Sequence, residues 1–160
     1  VNQEKFQDRR EFTGSLLKQL DDAYAYLDMR NQNVATFKGL HRSDHRDYPE
    51  TAIREALLNA IVHRDYSILA STLLSVYSNR IELLSAGRLA GGVSYDDIML
   101  GVSYCRNKKL ANIFYRMDLI EAYGTGINKI MSSYEVLAEN QKSSSPPAPL
   151  NSFCQIGELP

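Results

Sequence analysis

The sequence predicts an α+β domain with helices layered on one face of a sheet. Three observations carry that expectation. Apolar residues recur at helical spacing in four long segments. Two short β-prone runs, STLLSVY and RIELLS, are joined by the polar pair Ser78-Asn79, as in a hairpin. The elements also follow one another without the βαβ rhythm of a parallel sheet. A length of 160 residues suits one such domain, because a chain of roughly 150 residues buries about 68–70% of its unfolded surface and leaves little for a second core.

In chain order, the opening VNQEKFQDRREF is polar and shows no signal peptide. In GSLLKQLDDAYAYLDMR, Leu16, Leu20, Ala23 and Leu27 form a helical stripe that Leu17 and Tyr24 widen. Lys18, Gln19, Asp21 and Asp22 fill the opposite face, as on a surface helix packed against a core. Residues 31–47 have no period and read as a strand-plus-loop connection. Pro49 then opens a helix with Glu50 just inside it, where proline's missing N–H costs nothing and the acid meets the helix dipole. Its core stripe is Ala52, Ile53, Ala56, Leu57, Ala60 and Ile61. After the hairpin, SAGRLAGGVSYDD is a glycine-rich loop leading to a short helix around Tyr95–Leu100. NKKLANIFYRMDLIE places Leu110, Ile113, Phe114 and Met117 on one face, and the last helix carries Ile127, Ile130, Met131, Tyr134 and Leu137. The tail, residues 141–160, is Pro/Ser-rich and extended, with SFCQI as a candidate last strand.

Composition excludes several classes. With 18 Lys+Arg against 19 Asp+Glu the net charge is -1, which argues against coating nucleic acid by bulk electrostatics. No run approaches the roughly 18–20 apolar residues of a membrane span, so no membrane partner is expected. Cys105 and Cys154 form no CxxC pattern and read as isolated thiols of a cytoplasmic protein. The chain begins at Val1, and the expectation is part of a longer polypeptide, with a domain at 1–140 and the tail at 141–160.

Chemistry concentrates in REALLNAIVHRDY. Glu55, Asn59 and His63 stand at i, i+4 and i+8, along one strip of the helix. A carboxylate one turn before an amide suits a Mg²⁺-nucleotide site: Glu55 as acceptor of a proton from water, Asn59 as an oxygen ligand to a hard cation. The alternative is that both are solvated surface residues. Gly87, Gly91 and Gly92 follow a strand, and Gly124 and Gly126 precede a helix, where free N–H groups accept a phosphate. Gly124-Thr125-Gly126 serves equally well as a helix C-cap and tight turn. No P-loop or dinucleotide-binding fingerprint is present, which also excludes a helicase motor from this chain. Arg106 could grip a phosphate with its planar fork, or stand solvated while Asn107 caps the next helix. His63-Arg64-Asp65 reads as helix termination with local ion pairing. His41 and His45 lack a third ligand nearby in sequence.

The ordered blocks YPETAIREALLNAIVHRDYS, RIELLSAGRLAGG and CRNKKLANIFYRMDLIEAYGTGINKI resemble the ATPase-like domain of RecG-related proteins, prokaryotic helicase-related or transcriptional-regulator proteins. The resemblance runs from about residue 12 to about residue 135. It implies a Bergerat, or GHKL-type, fold: a two-layer α/β sandwich with helices on one face of a mixed, mostly antiparallel sheet, and ATP between the layers. It also implies that Glu55 is the water-activating base and Asn59 the Mg²⁺ ligand. Gly87 and Gly91 would take the first glycine box, and Gly124, Thr125 and Gly126 the second phosphate-contacting loop. The family's RN pair matches Arg106-Asn107. Where GHKL ATPases place an Asp against the adenine amino group, this sequence has Ser85, a weaker uncharged acceptor.

Three functions follow. The first is a nucleotide-binding regulatory module, with or without weak Mg²⁺-dependent ATP hydrolysis. The second is a DNA-regulatory module, with a helix-turn-helix read into Leu110–Glu121, the glycine turn and the Ile127 helix. Asn128, Lys129, Ser132, Ser133, Glu135 and Glu139 make no basic recognition surface, which moves DNA contact to other domains. The third is a degenerate, non-hydrolysing scaffold or homodimerisation domain.

Overall fold

A computed structural model describes residues 10–140, apart from residues 78–79, 89–91, 101, 103 and 122–124. Helix α1 (Leu16–Arg30) starts at Ser15, whose hydroxyl accepts the Lys18 amide at 3.2 Å. That bond satisfies one of the first-turn N–H groups the helix leaves open. Leu20, Tyr26 and Leu27 are its buried residues, with Leu17, Ala23 and Tyr24 packed beside them.

Strands β1 (Asn33–Lys38) and β2 (His41–Arg46) form an antiparallel hairpin around Gly39-Leu40. Gly39 has φ +62°, the left-handed conformation a tight two-residue turn needs. The expected strand-plus-loop connection is thus a full hairpin. Its sequence hides it because Asn33, Ala35, Phe37, His41, Arg42 and Asp44 are all exposed, so no alternation of apolar and polar residues marks the strands.

Helix α2 (Glu50–Val62) begins directly after Pro49 and forms the centre of the molecule. Ala52, Ile53, Ala56, Leu57, Leu58, Ala60 and Val62 are buried, a wider apolar surface than one stripe, while Ile61 is only partly covered. Elements pack on it from several sides: α1, the strand β4 (Ile81–Leu84) and helix α5 (Gly126–Asn140) all touch it. Each buried Leu there contributes about 1.5–3 kcal/mol. Asn31, at the end of α1, sets the entry to α2. Its amide donates to the Tyr48 carbonyl at 2.9 Å and accepts the Tyr48 N–H at 3.0 Å, both buried.

Strand β3 (Leu73–Val76) pairs antiparallel with β4, in register Leu73 with Leu84 and Val76 with Ile81. The Tyr77 N–H donates to the Arg80 carbonyl at 2.8 Å and closes the hairpin; Ser78 and Asn79 lie outside the described residues. Ile81 and Leu83 are buried and Leu84 is exposed, the alternation of a half-covered strand. The described strands thus form two antiparallel hairpins rather than one mixed sheet. Short α3 (Tyr95–Met99) carries a reciprocal capping box between Ser94 and Asp97.

Helix α4 (Lys108–Arg116) buries Ala111 and Phe114, with Leu110 partly covered. Ile113 and Met117, expected on the same face, are 52% and 46% exposed. The helix leans on its 110/111/114 edge, so the 113/117 edge faces outward. On α5, Ile130 is buried and Tyr134 packs on the core, Met131 is exposed, and the Leu137 side chain lies outside the described residues. Among the described residues no helix is long and apolar enough to cross a membrane.

Candidate functional site

One side of the site is α2. Glu55 and Asn59 stand one helical turn apart, Glu55 only 7% exposed and Asn59 half-buried. Glu55 is therefore not the solvated surface residue its spacing alone allows. The residue that covers it comes from 71 positions away: Gly126, the first residue of α5. A Cβ on Gly126 would stand 2.9 Å from Asn59 Nδ2, 3.1 Å from Glu55 Oε2 and 3.4 Å from Asn59 Oδ1. Only a residue without a side chain fits that close to both. The Thr125 carbonyl accepts the Lys129 N–H at 3.0 Å, the bond that starts α5. The first-turn N–H groups, with the positive end of the helix dipole, thus point away from their own helix beside Glu55 and Asn59.

Glu55 Oε1 accepts from Arg54 Nη1 at 3.1 Å, and Arg54 Nη2 donates to the Leu119 carbonyl at 2.6 Å. Arg54 thereby ties the carboxylate to the segment after α4, which turns at Asp118 with φ 55°. Lys129 and Glu121 pair at 2.5 Å where that segment approaches α5.

The second side is the segment after β4. Ser85 is buried, and its hydroxyl donates to the Ala60 carbonyl of α2 at 2.6 Å. Gly87 has φ +137°, and a Cβ there would meet the Asp65 Cβ at 3.1 Å and the Asp65 nitrogen at 3.3 Å. The Asp65 N–H donates to the Ala86 carbonyl at 2.7 Å. Arg106 is neither solvated nor free: Nη1 pairs with Asp65 Oδ2 at 2.6 Å and Nη2 donates to the Arg88 carbonyl. Asp65 Oδ1 accepts the Ser67 amide at 3.0 Å and the Ser67 hydroxyl at 2.6 Å. Those Ser67 bonds, with the Arg106 charge, hold the Asp65 carboxyl below its ordinary range.

Asn107 stands at the start of α4 but makes no side-chain capping bond. Its amide donates instead to the Val62 and Arg64 carbonyls, at 2.8 and 2.7 Å, closing the end of α2. His63 ends α2; burial, with the nearby Arg106 charge, keeps its imidazole below the usual histidine range against a backbone bond at Tyr104.

Gly91 and Gly124 lie outside the described residues. Gly92 has φ +88° with open space around it. His41 and His45 fall on β2, four residues and about 13 Å apart along the strand. Among the described residues no group of three or more His, Cys, Asp or Glu side chains gathers as a metal site.

Residues 70–148 match the family described as "Putative ATP-dependent DNA helicase recG C-terminal". Over that stretch the chain resembles a RecG-related ATPase-like domain. The matched stretch takes in Ser85, Gly87, Arg106 and Gly126, while α2 with Glu55 and Asn59 precedes it. The chain also resembles in fold the crystal structure of the DIP2311 protein from Corynebacterium diphtheriae, with a TM-score of 0.65 at 23% identity. That likeness covers 75% of this chain and spans about a quarter of the other's length, 25%. No curated protein matches the chain. Among the described residues, the α+β arrangement of five helices with antiparallel strands suits the GHKL-like sandwich expected of such a domain.

The donor set suits a magnesium nucleotide. Mg²⁺ is usually held by one or two protein oxygens together with substrate phosphates and water; Asn59 offers an amide oxygen, with the Glu55 carboxylate one helical turn away. The Gly126 backbone closes on both, at a place where a Cβ would crowd them. The residues that sequence reasoning overlooked are Arg54 and the partnership of Asp65 with Arg106. Their one sequence signal is position: each charge sits within two residues of a marked motif, in REALLN, HRD or RN.

Proposed function

We propose that this domain binds ATP with Mg²⁺ between α2, the start of α5 and the Ser85–Gly87 segment, as a nucleotide-sensing regulatory module of a larger RecG-related protein. The observation that carries the reading is the side-chain-free approach of Gly126 to Glu55 and Asn59. In this reading Asn59 supplies an oxygen to the cation, and Thr125 and Gly126, with Gly124, offer backbone N–H groups to phosphate. Gly87 and Gly91 shape the loop at the other end, and Ser85 stands where adenine would be met. Glu55 holds the proton acceptor for weak hydrolysis. DNA contact belongs to other domains of the full protein, since this chain carries a net charge of -1.

The test is thermal. ATP with Mg²⁺ raises the melting temperature of the chain, and Asn59→Ala abolishes that gain. No rise at millimolar ATP refutes the reading.

A second reading, a non-hydrolysing scaffold or homodimerisation domain, draws on one observation. The Ser85 hydroxyl spends its proton on the Ala60 carbonyl and is buried, so it brings no charge to an adenine amine. A concentration-dependent dimer in sedimentation, with no nucleotide-linked stabilisation, would favour it.

A further inference from the structure

We propose that Asp65 and Arg106 form a latch that sets the Gly87 loop for the nucleotide, with Arg106 acting through the loop backbone and not on a phosphate. The inference rests on the nucleotide reading of the site and assigns its loop-positioning residues. Three segments distant in sequence converge there: the end of α2, the loop after β4 and the lead into α4.

The loop is held at consecutive residues. At 86 its carbonyl accepts the Asp65 N–H at 2.7 Å. At 87 the chain takes φ +137°, and Asp65 fills the place a side chain would need. At 88 the carbonyl accepts Arg106 Nη2. Arg106 reaches Asp65 with its other terminal nitrogen at 2.6 Å, so one planar fork joins the helix end to the loop. Both terminal nitrogens are thus engaged, and a bidentate grip on a phosphate would require breaking the latch. Ser67 occupies the other Asp65 oxygen with two bonds and fixes the direction in which the carboxylate faces Arg106. Asn107, next to Arg106, anchors the same strand of chain to the Val62 and Arg64 carbonyls. The pair is largely shielded, with side chains 27% and 24% exposed, so solvent screens it less than an open surface pair.

The experiment compares wild type with Asp65→Asn, Arg106→Gln, Arg106→Lys and the double variant Asp65→Asn/Arg106→Gln. Two quantities are read: hydrogen exchange of the Asp65 amide and of the amides at 86–88 in the unliganded chain, and ATP and ADP affinity by calorimetry. The latch predicts that each single variant speeds exchange at these amides and weakens ATP and ADP by the same factor, on the order of tenfold. The double variant then loses no more than either single. Arg106→Lys, which keeps the charge and loses the fork, fails as Arg106→Gln does.

A phosphate contact gives a different pattern, and that pattern overturns the proposal. Arg106→Lys then retains affinity, and Arg106→Gln weakens ATP far more than ADP while Asp65→Asn has little effect. Unchanged exchange in Asp65→Asn overturns the latch whatever the nucleotide does. Faster exchange in every variant, in a chain whose wild type binds no ATP, supports the loop clamp and refutes the nucleotide reading instead.

Discussion

Replacing Gly126 by alanine separates the nucleotide reading from ordinary packing. The added methyl would stand 2.9 Å from Asn59 Nδ2 and 3.1 Å from Glu55 Oε2. Those atoms end rotatable side chains, so a shift of a few tenths of an ångström relieves the contact. Against that cost, alanine is better than glycine in a helix by up to about 1 kcal/mol. The two effects oppose, and the net change in stability should stay within about 1 kcal/mol, or roughly 2–4 °C for a chain of this length. The close approach of the Gly126 backbone to Glu55 and Asn59, in contrast, is lost.

For the wild type, ATP at 100 times its dissociation constant stabilises by about 2.7 kcal/mol, a rise of roughly 5–10 °C. A tenfold loss of affinity in Gly126→Ala halves that to about 1.4 kcal/mol at the same ATP concentration. Differential scanning fluorimetry with and without Mg-ATP measures both quantities on each protein. An unliganded melting temperature near wild type with a halved or smaller ATP gain is the expected result. A full wild-type gain in Gly126→Ala would show that the approach of Gly126 to Glu55 and Asn59 takes no part in binding, and the reasoning would fall.

Other perturbations follow from the same geometry. Asn31→Ala leaves the buried Tyr48 N–H and carbonyl without their partners and should cost about 2–4 kcal/mol in urea unfolding; a cost under about 0.5 kcal/mol would mean water replaces the amide. Phe114→Ala empties a site 1% exposed and should cost about 3–5 kcal/mol, while Ile113→Ala, on the same helix but 52% exposed, should cost under about 1 kcal/mol. His63 is half-buried, with its imidazole held below the ordinary 6.5 mainly by desolvation. The unfolded chain therefore binds this proton first, and its contribution is intact above pH 6.5 and is lost as pH falls from there toward the folded value. His63→Gln should flatten that limb of a stability-against-pH curve, and an unchanged slope would place the titration elsewhere.

How far the sequence could be read depended on the range of each interaction. Helices α1, α2 and α5 were legible because an apolar stripe at 3.6-residue spacing is local, and Pro49 with Glu50 marks the α2 start within two residues. The β1–β2 hairpin was not, since its sequence shows no alternation of apolar and polar residues and its strands are joined by antiparallel backbone pairing. On α4 the period was right, but it could not tell the 110/111/114 edge from the 113/117 edge; packing against the core chose. Asn107 looked like a helix cap by type and position, yet its amide closes α2, because two carbonyls at the end of that helix lay within reach.

The sequence by itself determined that Glu55 and Asn59 share one strip of a helix, since four residues make one turn wherever the helix lies. It also determined that glycines stand before a helix and after a strand, and that no P-loop exists. Only the tertiary structure decided that Gly126 closes on Glu55 and Asn59, that Ser85 spends its proton on Ala60, and that Arg106 holds Asp65 and the Arg88 carbonyl. Each of these joins residues 18 to 71 positions apart. Such contacts form when separate elements bury their apolar faces together, and a local pattern carries no record of which faces will meet.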